Sequence, residues 1–328
     1  MSGNGKNAAC RVAVVGAGYM AREHIRAFQD IDGVAVVGIQ SRTRPRAEAL
    51  AAEFGVTGVY DSIRDLHAGT SADLVVVTTP ELETNAACRQ CFEYPWTALI
   101  EKPAGYDVAD AEDIAGAADA KGRRAFVALN RRHYASTRAV AADLATQDGP
   151  RLIVVRDQQD PVAALAAGQP PLVVKNWMYA NSVHVVDYFT VLARGRITSV
   201  ENVIPWTPDA PRYVAAKVQF DSGDVGLYEA IWDGPGPWAV TINTPQKRWE
   251  LRPLEKSAFQ ARGTRALVPV DVDLIDEKFK AGLRHQAALA VAAAGGAPTT
   301  LPTLADALVS MRLVQAIYRA DVARQGGK

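Results

Sequence analysis

No run of apolar residues in this chain approaches the ~20 that span a bilayer, and the first ten residues, Met1 to Cys10, are polar and lack a signal peptide's apolar core. A cytoplasmic location with no membrane partner is therefore expected. Cysteine is scarce: Cys10, Cys88 and Cys91 are the only three, too few and of the wrong parity for a disulfide scaffold. Cys88 and Cys91 do form a C-x-x-C pair, but it falls inside a predicted helix, Thr84 to Phe92, with no partner cysteines, so two inert helical thiols are expected. The five histidines are scattered and assemble no zinc pattern, so no metal is expected. Charge of one sign is not in excess either. With 36 basic and 36 acidic residues, nothing draws the chain to nucleic acid or anionic lipid. What these absences leave is a small-molecule ligand.

What is present begins at Arg11-Val-Ala-Val-Val-Gly-Ala-Gly-Tyr-Met-Ala21, an apolar run opening into the pattern G-x-G-x-x-A at Gly16, Gly18 and Ala21. Val12 to Val15 read as a buried parallel strand. Gly16 then permits a tight turn, Gly18 lets the backbone approach a pyrophosphate, and Ala21 keeps the following helix close to the strand. The helix Tyr19 to Asp30 would point its N-terminal amides at the phosphates, so Gly16, Ala17, Gly18, Tyr19 and Met20 are expected to bind a dinucleotide.

At 328 residues the chain suits two domains, expected over 1–129 and 130–328. In the first, short apolar strands at Val34 to Ile39, Leu74 to Thr78, Ala98 to Ile100 and Ala125 to Ala128 alternate with amphipathic segments such as Pro45 to Phe54 and Ala109 to Lys121. That alternation specifies an α/β, Rossmann-type doubly wound parallel sheet. The second begins with a helix near Ser136 to Thr146, a strand at Leu152 to Arg156 and a helix starting near Asn181. Longer strands follow at Tyr213 to Phe220, Val225 to Trp232, Trp238 to Asn243 and Lys247 to Leu251, with helices over Leu274 to Ala294 and Leu304 to Ala323. This half reads as an α+β domain with a mostly antiparallel, open-faced sheet.

The end of the second strand selects the dinucleotide, because a carboxylate there bonds the ribose 2′-hydroxyl of NAD and repels a 2′-phosphate. Here that position reads Gln40-Ser41-Arg42-Thr43-Arg44, with no carboxylate. Ser41 can donate to a phosphate oxygen, and Arg42, supported by Arg44 or Arg46, offers charge and planar donors. NADP is therefore favoured over NAD. The competing reading of Arg44 and Arg46 is a solvated helix start.

Leu74-Val-Val-Val-Thr-Thr-Pro80, Glu101-Lys102-Pro103, Asn130-Arg131-Arg132 and His184-Val-Val-Asp187 join the glycine loop in a wider pattern. Together they resemble the glucose–fructose oxidoreductase, inositol dehydrogenase and rhizopine catabolism protein (Gfo/Idh/MocA) family over nearly the whole chain. The resemblance implies a nicotinamide-dependent oxidoreductase acting on a sugar, sugar nucleotide or polyol. It assigns Lys102 to the substrate hydroxyl and cofactor, and His184 to the reacting carbon. It also assigns Thr78, Thr79 and Pro80 to the adenosine and ribose, and Glu101 and Asn130 to the cofactor side.

The chemistry fits those residue types. Hydride arriving at a carbonyl carbon builds negative charge on oxygen, which a cation such as Lys102 stabilises and an acid such as His184, with a reference pKa of ~6.5, protonates. One departure stands out: many family members carry an aspartate four residues before this histidine, and here that position is Ala180. Tyr179 or Asn181 is then expected to help position substrate, or His184 acts with Lys102 alone. An alternative makes Asn181-Ser182 a helix start with His184 packed beside Tyr188.

Trp177, Met178 and Tyr179 could wall a sugar ring, with core packing as the competing reading of each. Arg132 and Tyr134 are expected to touch substrate from the domain junction. Asp187, three residues beyond His184, could orient it or serve packing. An open antiparallel sheet needs a cover, so a homodimer or homotetramer through the strands between Tyr213 and Leu251 is expected. Two rival functions stay open: a reductase of an imine or another small carbonyl on the same scaffold, and a non-catalytic NADP-binding sensor or regulatory protein.

Overall fold

The computed structural model describes residues 10–319, and they divide into two compact units: 10–133 with Ile275–Leu308, and Tyr134–Leu274 with 309–319. The first unit is built on strands β1 (Cys10–Val15), β2 (Val34–Gln40), β3 (Val59–Tyr60), β4 (Leu74–Val77), β5 (Thr97–Glu101) and β6 (Ala125–Ala128). All are parallel, in the order β3-β2-β1-β4-β5-β6. Between and after them run α1 (Tyr19–Gln29), α2 (Arg44–Phe54), α3 (Ile63–Thr70), α4 (Glu81–Cys91) and α5 (Val108–Ala120).

Both faces of this sheet are buried, which is why its strands read as unbroken apolar runs rather than as alternation. Along β1, Val12 and Val14 pack on one face with Ile25 and Phe28 of α1. Ala13 and Val15 pack on the other with Leu66, Cys88 and Ile114. The helix Leu283–Ala294 completes the first face, burying Leu283, Ala287, Ala290 and Ala293 along one side. Strand order reverses between β1 and β4, and the crevice beyond the C-terminal strand ends at such a reversal is where an open α/β sheet receives ligands.

The second unit opens with α6 (Ala135–Leu144) and holds an eight-stranded sheet of β7 (Leu152–Gln158), β8 (Ile197–Ile204), β9 (Tyr213–Phe220), β10 (Val225–Ile231), β11 (Ala239–Asn243), β12 (Lys247–Leu251), β13 (Ser257–Ala261) and β14 (Val268–Val270). Its order is β14-β13-β12-β11-β7-β10-β9-β8. The central pair β7·β10 is parallel and every other pairing is antiparallel. One face is core: Val214, Ala216, Val218 and Phe220 of β9 are buried, as are Tyr228 and Ala230 of β10. Gly226 leaves room for Phe189, whose ring would lie 2.6 Å from a Cβ at that position. The other face stays open, with Tyr213, Leu227, Val203 and Ile204 exposed in the second unit.

The helix expected to start near Asn181 forms differently. Met178–Ser182 is a π-helical turn running directly into Val183–Val186, and Asn181 and Ser182 lie inside this helical path rather than capping it. The segment Leu274 to Ala294 is two helices, Ile275–Lys278 and Leu283–Ala294, because Gly282 takes a left-handed φ of 77° between them. Of the helix expected over Leu304 to Ala323, Leu304–Tyr318 is present and residues 320–323 lie outside the described residues. Strands β3 and β14 are two and three residues long, β8 lies at a sheet edge, and β13 reads Ser-Ala-Phe-Gln-Ala with a single large apolar residue, so none of the four announced itself in the sequence.

Candidate active site

The glycine loop leaves β1 at the edge where the strand order reverses. Gly16 has φ +112°, and a Cβ there would meet Thr78 Oγ1 at 2.4 Å and Thr78 O at 2.7 Å. Glycine is thus needed both for the turn and for the close approach of the chain after β4. Thr78 closes this contact by donating from N–H (2.8 Å) and Oγ1 (3.0 Å) to the carbonyl of Val15. Gly18 is the reverse case: a Cβ there would meet nothing within 4 Å. It caps α1 without a side-chain hydrogen bond and no acidic residue occupies the first turn, so the helix N-terminus offers uncapped amides to an anion. The residues present therefore fit a dinucleotide's pyrophosphate. Ala21 is fully buried behind the turn, Met20 packs against the core, and Tyr19 is exposed with Lys280 Nζ 5.4 Å from its ring centre.

Beyond β2, Gln40 is buried and Ser41 Oγ accepts from the Thr43 amide at 3.2 Å. Arg42 is exposed and pairs with Glu83, near the start of α4, at 3.0 Å. Arg44 pairs with Glu48 and Asp61. Arg46 is exposed and has no ion pair among the described residues. Beyond β4, Thr79 Oγ1 lies 3.3 Å from Thr84 Oγ1, and Pro80 is the N-cap residue of α4.

Lys102 follows β5 directly, on the edge that carries the glycine loop. Burial pushes its ammonium below the usual lysine pKa; Glu101 and Glu81 pull it back up, while Arg131 and Lys280 push it further down. The Glu101 carboxylate accepts from buried His24 Nε2 at 2.7 Å through Oε1 and from the Lys102 amide at 3.2 Å through Oε2. His24 stands on α1 three residues after Ala21, so the glycine-loop helix and the end of β5 are joined by one hydrogen bond. Asn130 sits in the turn Asn130–His133 with Arg132, and its Nδ2 donates to Ala281 O at 2.9 Å.

The second unit contains a pocket of about 340 Å³ lined in part by Trp177, Asn181, Gln158, Asp160 and Trp238. His184 is half-buried, its ring centre 6.4 Å from that of Trp238. The π-turn sends Asn181 toward β7, where its Nδ2 donates to Gln159 Oε1 at 2.8 Å. Gln159 Nε2 donates in turn to Asp157 Oδ1 at 2.6 Å. Burial raises the Asp157 carboxyl above its usual value, opposed by hydrogen bonds from Tyr228, Ser182 and Gln159. Tyr134 and Tyr179 are buried. Asp187 is buried too, accepting from Ser310 Oγ at 2.5 Å and Thr190 Oγ1 at 3.2 Å.

The candidate residues thus gather into two sets: the loop, Glu101, Lys102 and Asn130 in the first unit, and Trp177, Asn181 and His184 in the second. His24, Asp157, Gln159 and Trp238 escaped the sequence reading. His24 had a readable signal, its place on the α1 face that carries Ala21. For Asp157 the signal was a carboxylate in register with inward-facing Ile153 and Val155 of β7. Cys88 and Cys91 lie in the core, where burial pushes the Cys91 thiol up to about 12 and Cys88 well above the usual range. Among the described residues no helix is long and apolar enough to cross a membrane.

A phosphate-ready turn at the reversal of a 3-2-1-4-5-6 sheet is the arrangement of a dinucleotide-binding Rossmann unit, here followed by a mostly antiparallel second sheet. The family model described as "Oxidoreductase family, NAD-binding Rossmann fold" (GFO_IDH_MocA) matches residues 10–129, the β1–β6 part of the first unit. Inositol 2-dehydrogenase 1 of Saccharopolyspora erythraea is 36% identical over 117 residues, 35% of this chain and 34% of that protein. A 4-carboxy-2-hydroxymuconate-6-semialdehyde dehydrogenase of Sphingobium sp. is 26% identical over 200 residues, 59% of this chain and 62% of that one. The match to each of these relatives therefore spans less than two thirds of the relative's length. Levoglucosan dehydrogenase, solved in complex with NADH and levoglucosan, shares the fold at a TM-score of 0.80 and 16% identity, covering 96% of this chain and 97% of that one.

Proposed function

We propose that this chain is an NADP(H)-dependent oxidoreductase that moves hydride between the coenzyme and a secondary alcohol or carbonyl of a sugar, sugar nucleotide or polyol. The observation that carries the reading is Lys102: a half-buried lysine placed one residue past β5, on the strand-end edge from which Gly16 and Gly18 leave β1. When bound, the coenzyme supplies the two-electron chemistry. The chain would hold its pyrophosphate at the Gly16–Met20 turn, with Thr78, Thr79 and Pro80 beside the adenosine and ribose and Glu101 and Asn130 on the cofactor side.

In the oxidative direction the substrate hydroxyl loses its proton to His184 while Lys102 stabilises the oxygen anion; in reduction His184 returns the proton. Protonated Lys102 is the useful form, and the charges of Glu101 and Glu81 favour it against burial. Trp177, Tyr179, Asn181, Arg132, Tyr134 and Asp187 make up the substrate side of the proposal. The preference for NADP(H) over NAD(H) rests on the absence of a carboxylate at the end of β2 and on Ser41, Arg42 and Arg46 beyond it. The relatives named above are dehydrogenases of inositol, of levoglucosan and of a semialdehyde, which supports a small hydroxylated or carbonyl substrate.

A homo-oligomer through the open face of the second sheet and a cytoplasmic location complete the reading. Ala180, at the family's aspartate position, favours one second reading: a coenzyme-binding sensor without turnover. The test is turnover of a panel of sugars, polyols and their keto forms with NADP(H) and NAD(H). Turnover with an NADP(H) preference of tenfold or more supports the proposal, and a preference for NAD(H) overturns the coenzyme assignment. NADPH binding without turnover on any substrate favours the sensor.

A further inference from the structure

We propose that Asp157, acting through Gln159, is a positioning residue that fixes the Asn181 amide so that its carbonyl oxygen accepts a hydrogen bond from a hydroxyl of a polyol or sugar in the pocket beside Trp238 and His184. The substrate class rests on the function proposed above; the polarity does not.

The polarity follows from donors that can point only one way. The Trp232 indole N–H, which cannot accept, donates to Tyr318 Oη at 3.2 Å. Tyr318 and Tyr228 hydroxyls lie 2.7 Å apart, closer than the 3.4 Å from Tyr318 to Ser182 Oγ, so the Tyr318 proton is directed to Tyr228. Tyr228 then donates to Asp157 Oδ2 at 2.7 Å. The other oxygen, Oδ1, takes Gln159 Nε2 at 2.6 Å. Asp157, Gln159, Tyr228, Tyr318 and Ser182 are all at least 98% buried, so no bulk water competes for these bonds.

The hydrogen bonds from Tyr228, Ser182 and Gln159 favour the ionised form of Asp157 against its burial, and as a carboxylate it is acceptor only, which orients both amides. Gln159 must turn its nitrogen to Asp157, which leaves Oε1 toward Asn181. Asn181 can meet Oε1 only with Nδ2, as it does at 2.8 Å. Its Oδ1 has no hydrogen-bond partner among the described residues, and Asn181 lines the pocket. A ligand there meets a fixed acceptor in a pocket that two indoles, Trp177 and Trp238, also line. Hydroxyl donors combined with flat C–H faces are the chemistry of a cyclic polyol or pyranose, and about 340 Å³ is a fit for one such ring. The reverse polarity would present an N–H instead and select a ligand acceptor.

The test uses Gln159→Met, which releases the amide, and Asn181→Leu, which removes it, alongside wild-type full-length protein. Asp157→Asn is a third variant, informative only if its melting curve matches wild type. Each is assayed for turnover of myo-inositol, D-glucose and D-xylose, and of their singly O-methylated or deoxy analogues. Tryptophan fluorescence titration with the same probes, with Trp238→Phe as control, reads binding without turnover. One net hydrogen bond of about 1 kcal/mol predicts a KM or Kd rise of about fivefold to tenfold in both variants. With it goes loss of discrimination against one O-methyl analogue, while kcat stays within about twofold. Turnover with KM and analogue discrimination unchanged in both variants overturns the inference and leaves the proposed function standing. Saturable quenching that Asn181→Leu weakens, without turnover, supports the inference and removes the redox reading. Neither turnover nor quenching in wild type overturns both.

Discussion

At the residue scale the half-buried Lys102 keeps its charge through its neighbours. Desolvation lowers the Lys102 pKa and the adjacent Glu101 raises it, so Glu101 favours the protonated form that stabilises an alkoxide. Glu101→Gln removes that negative charge and lowers the Lys102 pKa further. Because activity needs the ammonium and is lost as pH rises through its pKa, the alkaline limb of the kcat/KM profile should move to lower pH. An unmoved or upward-shifted limb in a pH–rate series would contradict this role. Lys102 and Glu101 were readable from the Glu-Lys-Pro run, because the triplet is contiguous. For Asp157 the alternation of β7 gave its inward face beside Ile153 and Val155 but not what it meets there. Tyr228 and Asn181, far from Asp157 in the chain, supply a donor and extend the relay through neighbouring Gln159, and no local pattern announces them.

At the element scale, most strands of the first unit were legible because each is a short apolar run bounded by turns, whereas β3 is two residues long and pairs only at the sheet edge. The π-turn at Met178–Ser182 had no local signal: a segment reading Met-Tyr-Ala-Asn-Ser scans as an ordinary helix start, and its widening is set by what Asn181 and Ser182 meet across the unit. The beginnings of β7 and β10 are tied by Asp224, which is fully buried and accepts from the Arg151 amide at 2.9 Å and the Arg194 guanidinium at 2.7 Å. Burial pushes its carboxyl up, but the donors of Arg194 and Arg151 outweigh that and hold it below the usual 3.8. A carboxyl lowered on folding stabilises above its unfolded value and loses that contribution as pH falls through the folded one. Asp224→Ala should cost about 3 kcal/mol near neutral pH. Thermal melts should show the gap from wild type narrowing below about pH 4, and a gap constant with pH would contradict the ion pair's contribution.

At the scale of the whole molecule, the α/β first unit and the mostly antiparallel second sheet follow from alternation and strand length. The return of Ile275–Leu308 to the first unit does not. An alanine-rich helix such as Leu283–Ala294 carries helical spacing without naming the surface it covers, and α1 is identified as its partner only in three dimensions. The open face of the second sheet carries exposed Tyr213, Leu227, Val203 and Ile204, apolar area that a second copy would bury. Light scattering is expected to give a dimer or tetramer, and Leu227→Glu should shift it toward monomer. A monomer at all working concentrations would remove the oligomer from the account.

The central claim is that Lys102 serves hydride transfer to or from a hydroxylated substrate. The most direct measurement is the absorbance change of NADPH or NADP with the best substrate of the panel, comparing wild type with Lys102→Met at matched coenzyme saturation. Loss of one charged group facing a developing oxyanion predicts a fall in kcat of about 10²–10³-fold with coenzyme binding retained. Turnover by Lys102→Met at the wild-type rate would contradict the claim.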